Sequence, residues 1–229
     1  MTATLNIDEV DLVVIAQNHN PSILNPDFLI RTGIVESSWG WELANPPICT
    51  QQFSGVMYKS GLSIQAFLDR LIFREKNQGN TIANSKLSRI ARKYIETLPH
   101  VSYSSIGTNT KGHIVVESDE KAALYILNDL VNDGPWKKFA DGPMDATLSL
   151  AYRMSDCVLN LGISRAKVKA ADKSESPCIV FAANFHRELK GESHEAKHHH
   201  LLDIIDKWGN DYKTFISLIK ERFLKEKTT

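Results

Sequence analysis

The strongest pattern in this sequence lies near its C-terminal end, where apolar residues recur every three or four positions from residue 201 to residue 223. This spacing predicts an α-helix with one apolar face. The residues on that face are Leu201, Ile204, Ile205, Trp208, Tyr212, Phe215, Ile216, Ile219 and Phe223. Because such a face has to be buried, the rest of the chain must supply an apolar surface to cover it. Gly209 and Asn210 predict a kink in the helix.

Alternating segments predict that this surface is a β-sheet. Residues 10–17 form an apolar, β-branched run typical of a buried strand. Residues 55–75 alternate around two turn signals, at 59–61 and 69–70, which predicts a three-stranded antiparallel meander. Ile64, Ala66 and Leu68 are predicted to share one face of that meander.

The remaining segments show the same helical and alternating patterns. Helices are predicted at residues 26–32, 85–98 and 119–131, with Asn25 and Ser118 as N-caps. Further strands are predicted at 101–105, 113–117, 148–154, 157–163 and 178–187, with an interruption at 107–109.

The predicted order of elements is β-α-β-β-β-α, and it occurs twice. The sequence therefore predicts an α+β fold of two similar halves, residues 8–98 and 100–225, each an antiparallel meander with helices packed on one face. Residue identity between the halves is not visible. The alternative to a duplication is that the two element orders agree by chance. The two halves could form one continuous domain under either interpretation.

Charge and cysteine content narrow the class of protein. Lys plus Arg equals Asp plus Glu, at 27 each, so no overall positive field draws the chain to nucleic acid or to an anionic membrane. The N-terminal residues lack the basic and apolar regions of a signal peptide. Three widely spaced cysteines match no metal-binding or disulfide pattern. We expect a cytoplasmic protein with no membrane contact and no cofactor.

Two groups of residues are candidates for a contact surface. Trp39 and Trp41 stand in an irregular aromatic and proline-rich segment, and His19 follows the first strand. Aromatic anchors dominate many protein interfaces, although the same residues could close the core locally. Asn184, His186 and Arg187, which end a predicted strand, form the second group.

A histidine-rich segment predicts an alternative site. His194 and His198 stand four residues apart, the spacing that binds a divalent metal on one helix face, and Glu192 and His186 lie nearby in sequence. Gly191 and Ser193 argue instead that the helix begins later, near residue 197.

No phosphate-binding loop, dinucleotide fingerprint, nucleophile elbow or paired-cysteine motif occurs in the sequence. We therefore expect a non-catalytic interaction or scaffold subunit of a larger intracellular assembly, with a protein partner or a second copy bound to it. The alternative is a metal-dependent hydrolase that uses His186, His194 and His198.

Overall fold

The computed structural model describes residues 4–77, 85–169 and 175–224. It is an α+β fold with a nine-stranded antiparallel sheet and four α-helices. The strands are β1 (Asn6–Gln17), β2 (Ile48–Cys49), β3 (Phe53–Met57), β4 (Leu62–Phe67), β5 (Arg70–Lys76), β6 (Ser102–Val115), β7 (Leu148–Arg153), β8 (Val158–Lys169) and β9 (Glu175–Glu188). The helices are α1 (Pro26–Arg31), α2 (Leu87–Thr97), α3 (Asp119–Leu124) and α4 (His194–Leu218).

Capping residues set the start of three helices. The side chains of Asn25, Ser118 and Ser193 each accept a hydrogen bond from a backbone N–H in the first turn of α1, α3 and α4. α3 continues as a π-helical turn, Tyr125–Leu130, and α4 continues as another, Ile219–Phe223.

The sheet has the strand order β2-β3-β4-β5-β1-β6-β9-β8-β7. The two long strands β1 and β6 pair at its centre, and the meanders β3-β4-β5 and β9-β8-β7 flank them. The meander predicted for residues 55–75 is confirmed. Ile64 and Ala66 share its buried face, whereas Leu68 lies in the β4–β5 turn and is exposed.

Two apolar cores lie on one face of the sheet. The first joins β1, β3, β4 and β5 to α1, α2 and the N-terminal half of α4. The second joins β8 and β9 to α3 and the C-terminal half of α4. Since α4 contributes Leu201 and Ile205 to the first core and Phe215 to the second, this single helix ties both cores together.

Two local predictions were wrong. β6 runs through residues 107–109 without interruption, because Gly107 leaves room for the side chain of Asn184 on the adjacent strand. α4 begins at His194, since Ser193 acts as its N-cap and does not belong to a loop. The helix includes Gly209, whose roughly 1 kcal/mol cost in a helix is outweighed by burial of the helix on either side.

No helix within the described ranges has the length and apolar character needed to cross a membrane.

Candidate functional site

The sheet face opposite the helices carries a row of polar side chains. In β1, β5, β6, β8 and β9 the residues Leu12, Phe73, Ile106, Leu161 and Phe185 point into the cores, so residues of the other parity on each strand point the other way. Five of these outward residues come from adjacent strands at directly paired positions. They are Arg74, Asp11, Asn109, Asn184 and Asn160, named here the polar row.

Hydrogen bonds join the members of the polar row in pairs. The Nε and Nη2 atoms of Arg74 donate to the two carboxylate oxygens of Asp11 at 2.8 and 2.7 Å. Asn184 Nδ2 donates to Asn109 Oδ1 at 2.5 Å. Asp11 is buried, Arg74, Asn109 and Asn184 are half-buried, and Asn160 is exposed. Opposite charges at the centre of this face therefore neutralise each other.

Short side chains flank much of the polar row on β6, β9, β8 and β7, with Lys111 as an exposed cation opposite Ala182. Gly107, Ala182, Gly162 and Ala151 stand at outward positions on these strands. Long side chains lose conformational entropy when a partner immobilises them, whereas Gly and Ala have almost none to lose. This half of the open face can therefore be covered by another surface at low entropic cost.

A second region lies on the helical side, in a cleft of about 420 Å³ between α4 and the β7–β8 turn. Arg187 and Asp211 form its floor, and Asp156 comes from the turn. Arg187 donates to Asp211 from Nη1 and Nη2 at 2.7 and 2.8 Å and to Asp156 from Nε at 2.9 Å. The Thr108 hydroxyl also donates to Asp211.

The electrostatics of this cleft favour a structural role for Arg187 and its carboxylate partners. Burial lowers the pKa of Arg187, but its hydrogen bonds to Asp211 and Asp156 raise the pKa by more, so the guanidinium stays charged. The same contact lowers the pKa of Asp156. Burial raises the pKa of the Cys157 thiol to about 11, so the neighbouring cysteine is not a thiolate nucleophile at neutral pH.

The structure separates the residues of the predicted strand-end site. Asn184 and His186 lie on the open face, where His186 Nε2 is 2.9 Å from Glu188 Oε1. Arg187 points to the opposite face and is held by the two carboxylates of the cleft. Because strand side chains alternate, adjacent residues here belong to two different regions.

The other predicted contact residues pack against the first core. His19 is buried, and its Nε2 lies 3.1 Å from the Tyr94 hydroxyl oxygen. Trp39 and Trp41 are half-buried with ring centroids 4.8 Å apart, and Lys86 lies over the Trp39 ring at 4.4 Å. This geometry favours the interpretation that the two tryptophans close the core locally.

Two histidines of the hydrolase alternative, His194 and His198, donate hydrogen bonds to backbone carbonyls. His194 Nε2 donates to the Pro99 carbonyl at 2.5 Å, and His198 Nε2 donates to the Ile95 carbonyl at 3.3 Å. The Ile95 carbonyl also accepts from the Leu98 N–H at the C-terminal end of α2, so His198 adds a second donor there, and Pro99 lies two residues beyond that helix. In the described part of the chain, no three His, Cys, Asp or Glu side chains are grouped to hold a metal.

Sequence reasoning missed Asp11, Arg74, Asn109 and Asn160 as members of one surface, and Asp211 as a buried anion. Asp11 offered a signal, since it is the one charged residue in the apolar run from Val10 to Ala16. The comparisons supply no further assignment, because no protein-family model, curated protein or solved structure matches the chain.

Proposed function

We propose that this protein is a non-catalytic interaction subunit of a larger intracellular assembly, and that the open face of its sheet binds a protein partner. The observation that carries the proposal is the polar row, which crosses five strands on the face opposite all four helices. Antiparallel sheets can present one face to solvent, so an open face alone does not indicate binding. The side chains on that face determine what it can bind.

The composition of the face favours a protein over a nucleic acid. Arg74, the cation within the row, is occupied by Asp11 and also lies 3.8 Å from Glu9. A phosphate backbone requires unpaired Lys and Arg in a cluster. Protein interfaces are instead depleted of charge at their centre, which matches the Gly, Ala and Asn positions of β6, β9 and β8.

The proposal includes an internal duplication of the fold. Each half contributes a central strand, a short helix, a three-stranded meander and a longer helix in the same chain order. The orders β3-β4-β5-β1 and β7-β8-β9-β6 run inward to the centre of the sheet, and β2 lies outside β3 at one edge. Buried positions agree as well, since Leu62, Ile64 and Ala66 of β4 correspond to Leu159, Leu161 and Ile163 of β8. An approximate twofold axis between Asp11 and Asn109 relates the two halves in this proposal.

The test of the binding face is a matched pair of substitutions. Ala182→Arg places a long cation beside the polar row, whereas Ala196→Arg makes the same change at an exposed position of α4. The tagged full-length chain is purified from its native cell, and bound proteins are quantified by mass spectrometry. We expect one stoichiometric partner with the wild type and with Ala196→Arg, and its loss with Ala182→Arg.

A partner retained by both variants contradicts the assignment of the binding face. Circular dichroism and thermal melting of the three purified proteins show whether loss of the partner reflects the surface or a folding defect.

A further inference from the structure

The two ends of the sheet differ in how they are protected. At one end β2 has only two residues and follows Pro46 and Pro47, a short and proline-flanked edge of the kind that discourages strand addition. At the other end β7 has six residues, Leu148–Arg153, and β8 is its one neighbour among the described strands. Its sequence contains no proline and a single charge.

The backbone of β7 presents unpaired groups at this edge. Met154 N–H donates to the Cys157 carbonyl at 3.0 Å, which closes the β7–β8 hairpin. In an antiparallel pair, residues alternate between bonding to the partner strand and pointing away from it. The N–H and C=O groups of Ser149, Ala151 and Arg153 therefore point away from β8, toward an edge that no other strand of the described ranges covers.

The geometry points to a second copy of this chain as the occupant of that edge, with two β7 strands pairing antiparallel about a twofold axis through Leu150. In this register Leu150 faces Leu150 of the copy, Leu148 faces Tyr152, and Ser149 faces Ala151. Apolar residues then meet on one face of the joined sheet and small residues meet on the other. An isologous contact of this kind closes after two copies.

Charge does not oppose self-pairing in this register. Arg153, the one charged residue of β7, faces Thr147 of the copy and not its own symmetry mate. Its side chain lies on the open face, like that of Ala151, and no like charges oppose each other along the joined strands.

Exposed apolar side chains cluster in sequence around this edge. Tyr152 and Met154 are each 36% exposed, and Val158 is 41% exposed. In the segment before β7, Phe139 and Met144 are more than 80% exposed. Large apolar side chains left in solvent mark contact sites, so the edge that offers free backbone groups also offers apolar surface.

The inference rests on the proposed function, because it names a second copy as one partner of an interaction module. Its test measures the mass of the purified protein and does not depend on capture of another protein. The dimer and the proposed binding face can therefore fail independently. Sedimentation equilibrium of the purified full chain at micromolar concentration is expected to give twice the chain mass of 25.7 kDa. Ala151→Pro removes an outward N–H without touching the bonds to β8, and should weaken dimerisation by at least about tenfold.

Ala151→Ser is the matched control and should keep the wild-type dimer. Ser149→Pro provides a second test, because in this register Ser149 faces Ala151 of the copy and the substitution removes its outward N–H. A wild-type chain that stays monomeric overturns the inference, and so does a dimer that resists both Ala151→Pro and Ser149→Pro.

Discussion

Arg187 on β9 and Asp211 on α4 form a two-pronged ion pair with hydrogen bonds of 2.7 and 2.8 Å, and their side chains are only 10% and 11% exposed. Asp211 stands between the two parts of α4 that enter the two cores, and Thr108 on β6 contacts the same carboxylate. The pair therefore fixes the position of α4 across the centre of the sheet.

Asp211→Ala should lower the free energy of unfolding by about 3–5 kcal/mol, because it leaves the guanidinium of Arg187 buried with one fewer partner. Urea denaturation followed by circular dichroism measures this loss. Replacing both residues, with Arg187→Met and Asp211→Leu, should recover most of it, since neither charge then remains to be solvated. A double variant as unstable as Asp211→Ala would show that packing, and not the unpaired charge, causes the loss.

His19 should make stability depend on pH. Burial lowers the pKa of His19 from its ordinary value of 6.5, so the folded state binds a proton less readily than the unfolded state. The contribution of His19 is complete above about pH 6.5 and is lost as the pH falls through the lowered pKa of the folded state.

The measurement is the difference in unfolding free energy between pH 7.5 and pH 5.5. His19→Gln should reduce this difference, whereas His199→Gln, which changes an exposed side chain, should leave it unchanged. Equal pH dependence in wild type and His19→Gln would assign the effect to other groups.

Phe215 and Trp208 should differ in their effect on stability, although the helical pattern places both on the apolar face of α4. Phe215 is fully buried in the second core, so Phe215→Ala should cost about 3–5 kcal/mol. Trp208 is half-buried against the first core beside Tyr212, so Trp208→Ala should cost clearly less. Thermal melting of the two variants compares them directly, and a larger loss for Trp208→Ala contradicts this ranking.

His194 and His198 should contribute to stability as donors to the end of α2. Replacing both by alanine removes two hydrogen bonds to backbone carbonyls, each worth about 0.5–1.5 kcal/mol. Chemical denaturation measures the combined loss. Metal analysis of the untagged protein should find no stoichiometric zinc or manganese in the wild type, and release of such an ion by the double variant would restore the hydrolase alternative.

The periodicity of apolar residues was sufficient to predict individual strands and helices. Alternation in residues 62–66 predicted a strand with one buried face, and the recurrence of apolar residues from Leu201 to Ile219 predicted a long helix. These patterns work because side-chain direction repeats every two residues in a strand and every 3.6 in a helix. The predictions failed at single residues with strong local preferences, namely Gly107 in β6 and Ser193 before α4. A glycine fits a strand where a neighbour comes close, and a serine before a helix is often its cap.

What the sequence by itself determined is the set of elements and the face that each one buries. Only the tertiary structure decided which strands are neighbours, and therefore that Asp11, 63 residues from Arg74 in sequence, is its ion-pair partner. It also decided that Asn184 and Arg187, three residues apart, lie on opposite faces of one sheet. The physical reason is that side-chain periodicity acts over a few residues, whereas strand order and register depend on how distant apolar faces are buried together.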